Sequence, residues 1–105
     1  MDYRIPFSII FENQNIDFFL EAHSETKNPE YLTRISTEIL DILDSNVKRN
    51  KISDGDLIQA LALVTAIRIY CSGFDPDKLR KFSDDLVKKT VSNIKSGKFT
   101  KIGSA

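Results

Sequence analysis

The chain has little of what most catalytic and metal sites are built from. One cysteine (Cys71) excludes an intrachain disulfide framework, and one histidine (His23) excludes a His-rich metal centre. Four glycines (Gly55, Gly73, Gly97, Gly103) stand too far apart for a phosphate-cradling loop, and neither G-x-S-x-G nor a metalloprotease helix occurs. Fifteen basic and fifteen acidic residues cancel, which removes the charge footprint of a phosphate-binding protein. The longest apolar stretch, Leu57 to Cys71, would span about 22 Å as a helix, short of a hydrocarbon core. The opening residues Met1 to Pro6 show no basic segment followed by an apolar one, so no secretory signal is expected. A single unpaired cysteine in an apolar run fits a reducing compartment, and a cytoplasmic location is the expectation.

What remains is ordinary globular material: 105 residues, 41% apolar and 29% charged, enough for one domain. The expected fold is mainly α: a three-helix core (about 29–49, 53–72 and 76–95) behind an N-terminal β-strand or β-hairpin (about 3–11 and 16–23). Residues 1–95 form the expected single domain, with 96–105 as a flexible tail on which Phe99 and Ile102 have the means to dock.

Residues 3–11 alternate, with Tyr3, Ile5, Phe7, Ile9 and Phe11 on one side, which is the period of a strand. Pro6 lacks a ladder donor and marks that strand as an edge. Residues 16–23 read two ways. An Asn-rich turn would close a hairpin, or Asn15 would cap a short helix. The hairpin is preferred because the helix leaves Phe18 off its apolar face.

Helix boundaries are punctuated clearly. Asn28-Pro29-Glu30 supplies an N-cap, a first-turn proline and an acid at the positive end of the dipole. Ser53-Asp54-Gly55-Asp56 matches a capping box, and Asp75-Pro76-Asp77 repeats the N-cap–proline pattern. Gly73 is placed to end the second helix in the left-handed conformation. The acidic pairs at these starts are read as caps, not metal ligands, because no further oxygen ligands follow as a calcium loop requires.

The second helix is the unusual segment. Twelve of the fifteen residues from Leu57 to Cys71 are apolar, and Gln59 and Arg68 fall on opposite sides. A helix apolar all round needs cover all round. Either the remaining chain wraps it as a buried central helix, or a second copy or another protein covers what is left. The candidate interface residues are Tyr3, Phe7, Phe11, Leu61, Val64 and Arg68.

Charge is segregated along the chain. Residues 12–44 carry a net −6 and residues 78–101 a net +6. Lys88, Lys89, Lys95 and Lys98 are therefore the candidate contacts for an alternative function, a nucleic-acid-associated accessory factor. Asp84 and Asp85 interleave with these bases at i,i+4, the pattern of an ion-paired solvated face, so nucleic acid is not the favoured partner. Cys71, near the negative end of its helix, is expected in core packing rather than as a nucleophile. No spacing pairs it with His23. The expectation is a small non-enzymatic protein–protein interaction module, an adaptor, chaperone-like subunit or inhibitor. It would form a homodimer or bind another protein, without cofactor, metal, membrane or small-molecule substrate.

Overall fold

The computed structural model describes residues 4–24 and 26–103. The elements are β1 (Arg4–Phe11), β2 (Gln14–Glu21), α1 (Pro29–Asn50), α2 (Asp54–Tyr70), α3 (Pro76–Lys95) and β3 (Lys98–Lys101). Among the described residues the fold has three helices and a three-stranded antiparallel sheet of order β1-β2-β3. The chain divides into two units, one from residues up to 33 together with those from 85 onward, the other from 34 to 84. Among the described residues no helix is long and apolar enough to cross a membrane.

The first unit holds the sheet. Glu12 and Asn13 both take positive φ (50° and 62°), the left-handed pair that a two-residue type I′ hairpin turn requires. The turn therefore starts at Glu12, where the sequence places it, but is two residues shorter, and Gln14 and Asn15 belong to β2. The short-helix reading of residues 16–23 is overturned. Register pairs Ile5 with Leu20, Phe7 with Phe18 and Ile9 with Ile16, and Phe99 of β3 lies beside Ile16. Directly paired residues share a face, so these apolar side chains form one side of the sheet. Arg4, Ser8, Asp17, Phe19 and Glu21 form the other.

The tail expected from Ser96 is replaced by β3 over Lys98–Lys101. Gly97 makes that strand possible, because a Cβ there would lie 2.6 Å from the Asp17 carbonyl oxygen. Asn13 accepts a hydrogen bond from the Ile102 N–H at 2.8 Å, extending the ladder past β3. Before β3 begins, the Asn93 side-chain amide donates to the Phe19 carbonyl at 3.1 Å and satisfies the next open position on β2. On the far edge, alternation from the Phe11–Gln14 pair turns the backbone of Pro6 outward. Its missing N–H therefore breaks no bond within the sheet and blunts an exposed edge.

The helix caps follow the sequence reading. Asn28 Oδ1 accepts from the Tyr31 N–H at 3.0 Å, Ser53 Oγ from Asp56 at 3.2 Å and Asp75 Oδ1 from Asp77 at 2.9 Å. At the end of α2, the Ser72 hydroxyl donates to the Ile69 carbonyl and Gly73 takes φ +87°.

Burial departs most from expectation. The buried apolar residues are Ile5, Ile16 and Phe18, all in the hairpin, and no described side chain of any of the three helices is buried. The core sits under the sheet, and α2 is not the buried central helix that its composition demands. Leu63, Ile67 and Tyr70 of α2 are each more than half exposed.

Candidate functional site

The site that stands out is the uncovered side of α2. Leu57, Leu61 and Ile69 are half-buried, which orients the helix within the 34–84 unit. On the opposite flank Leu63 is 61% exposed, Ile67 52% and Tyr70 78%. With Ala60, also exposed, they recur at steps of three, four and three residues. That spacing holds them within about 80° of the helix circumference. Val64 widens this stripe, whereas Ile58, 65% exposed, falls between Leu61 and Ile69 on the other flank. The charged groups sit at the ends, Asp54 and Asp56 in the first turn and Arg68 in the last. On α1, Ile35, Ile39 and Ile42 form a second exposed apolar stripe within the same unit.

The sequence-selected interface residues are distributed unevenly. Val64 and Arg68 are exposed, and Leu61 lies on the half-buried flank. Phe11 is exposed at the end of β1. Phe7 is half-buried and turned toward Phe18, their ring centroids 5.8 Å apart. Tyr3 lies outside the described residues. Sequence reasoning missed Leu63, Ile67 and Tyr70 as a set. Their three-and-four spacing was visible, but with apolar residues on every side of α2 nothing marked which flank faces outward.

Cys71 is exposed, contrary to the expected core position. It occupies the C-cap of α2, where the helix ends and its uncovered flank continues. The His23 backbone N–H donates to Thr26 Oγ1 at 3.0 Å, and its carbonyl accepts from the Thr26 N–H, so His23 helps form a turn after β2. Among the described residues no group of three or more His, Cys, Asp or Glu side chains could hold a metal ion.

On the polar face of the sheet lies an open cleft of about 270 Å³ bordered by Arg4, Asp17, Phe19, Glu21, Asn93 and Ser96. Its charged groups already have partners. Ser8 Oγ and Asn15 Nδ2 donate to Asp17 Oδ1, Lys89 Nζ lies 2.6 Å from Glu21 Oε2, and the Arg4 guanidinium stands 5.9 Å from the Phe19 ring centre. These contacts engage two of the four lysines singled out for nucleic acid. Lys89 is held by Glu21, and Lys98 favours the ionised form of Asp17 from the neighbouring strand. Lys88 and Lys95 remain exposed. Of the interleaved ion pairs expected along α3, Arg80–Asp84 forms at 3.0 Å.

Both cleft carboxylates titrate below their ordinary values, Asp17 chiefly through the Ser8 hydrogen bond and then Asn15, Glu21 chiefly through Lys89. A carboxylate lowered by folding stabilises the native state above its unfolded pKa and loses that contribution as pH falls through the folded value. The melting temperature should therefore be insensitive to these groups above about pH 5 and decline below about pH 4. Asp17→Asn should melt lower than the parent at pH 7, with the gap narrowing as pH falls below about 4, as followed by circular dichroism. Parallel curves across that range would show that the Ser8–Asp17–Asn15 contacts carry no stability.

No protein family, curated protein or solved structure matches this chain.

Proposed function

We propose that this chain is a non-enzymatic protein–protein interaction module that self-associates through α2. The observation that carries the reading is the exposure of Leu63, Ile67 and Tyr70 on a helix with almost no polar side. Scattered apolar residues are normal on a protein surface, but a contiguous stripe on one helix face is the mark of an interface.

Magnitudes set how extensive the contact must be. Leu63, Val64, Ile67 and Tyr70 are each more than half exposed on this flank. Covering what remains of each gains roughly 1–1.5 kcal/mol, so on the order of 5 kcal/mol per copy. Association costs about 4–15 kcal/mol in lost freedom. The α2 surface alone therefore supports a modest complex, and a tight one also needs the α1 stripe of Ile35, Ile39 and Ile42. Light scattering after size exclusion tests the reading directly. A particle of twice the 11.9 kDa chain mass at micromolar concentration is expected. A single-chain mass persisting to 100-fold higher concentration would remove it.

A further inference from the structure

We propose that the uncovered side of α2 is covered by α2 of a second copy laid antiparallel, with its midpoint at residue 65. This rests on the self-association above and adds its geometry. A two-fold contact brings one patch against itself, so the patch must be self-complementary. Ala60, Leu63, Ile67 and Tyr70 have the three-and-four spacing of a coiled-coil seam and are all exposed. Antiparallel pairing about residue 65 sets Leu63 against Ile67 of the second copy and Ala60 against Tyr70. The smallest side chain of the seam receives the largest, twice over. Parallel pairing sets Ala60 on Ala60 and Tyr70 on Tyr70, leaving a gap at one end and crowding at the other.

Electrostatics select the same direction. The charges of α2 are Asp54 and Asp56 in its first turn and Arg68 in its last. A parallel pair brings like charges level and aligns the two helix dipoles. An antiparallel pair separates the like charges and opposes the dipoles.

Cys71 provides the measurement, because it is exposed and is the one cysteine of the chain. In the antiparallel seam it lies level with Gln59 of the second copy. That places it about 18 Å along the axis from the other Cys71. In a parallel seam the two cysteines are level and about 10 Å or less apart. Spin labels on Cys71 of the full chain are expected to give a double electron–electron resonance distance of about 20 Å or more. Mild oxidation of the unlabelled dimer should yield no Cys71–Cys71 disulfide. Labels within about 10 Å, or rapid disulfide formation, would overturn the antiparallel geometry and leave self-association standing. A single-chain mass for the unlabelled protein would overturn both. Ala60→Trp, which adds bulk at an exposed position of the single chain, should keep the fold by circular dichroism and weaken dimerisation at least tenfold. An unchanged dimer in that variant would also overturn the Ala60–Tyr70 pairing.

Discussion

A chain carrying both Leu63→Asp and Ile67→Asp is expected to remain folded and to behave as a single-chain particle at concentrations where the parent is dimeric. Both positions are more than half exposed in the single chain. There, aspartate meets water and loses only a few tenths of a kcal/mol in helix propensity at each site. In the proposed seam the same substitutions act four times per dimer. Each removes part of a buried aliphatic side chain and sets a carboxylate against an apolar surface with no partner. A combined loss of at least 4 kcal/mol is expected, a weakening of about a thousandfold or more. Sedimentation equilibrium reads the association and far-ultraviolet circular dichroism reads the fold. If the double variant still pairs with parental affinity, the contact lies elsewhere, with the α1 stripe next in line. If it unfolds, these side chains have partners within one chain that their exposure does not reveal.

The parts of this fold that were legible in the sequence are those fixed by neighbours along the chain. Asn28, Ser53 and Asp75 cap their helices through bonds to residues two or three positions on, so each signal and its partner lie in one short window. The alternation of β1 was legible for the same reason. What escaped depends on distant partners. β3 is four residues long, with a period too short to read. It exists because Gly97 lets the chain approach the Asp17 carbonyl, eighty positions away. The turn at Glu12-Asn13 was read as four residues, Glu12 to Asn15, because neither Glu12 nor Asn13 is a glycine, although both take the left-handed conformation. The composition of α2 announced a need for cover without naming its source. Cys71 was assigned to a core because it closes an apolar run at the negative end of a helix, where a thiolate is disfavoured. The same ambiguity hid the outward flank: when every side of a helix is apolar, periodicity gives no direction, and only coordinates separate Leu57, Leu61 and Ile69 from Leu63, Ile67 and Tyr70.

Stability should be concentrated in the hairpin, and adjacent residues of β2 offer the test. Phe18 is 8% exposed on the apolar face, paired with Phe7 in register and in ring contact. Phe18→Ala removes the largest side chain of the buried set from the middle strand of the sheet. It is expected to cost about 3–5 kcal/mol, a large share of the 5–15 kcal/mol typical of a whole domain. Phe19 is one residue on, so its side chain points to the other face, where it is 53% exposed beneath Arg4. Phe19→Ala should cost about 1 kcal/mol or less, the value of an exposed cation–π contact and a little apolar area. Urea denaturation of the two variants side by side measures the difference. Equal losses, or a larger one at Phe19, would mean that the hairpin register is shifted by one residue, since a slip of one exchanges every inward side chain for its outward neighbour. With Phe18→Ala placed in the Leu63→Asp/Ile67→Asp background, the stability change should be the same as in the parent single chain. The two sets of residues fall in different units, and substitutions that share no partner are expected to add.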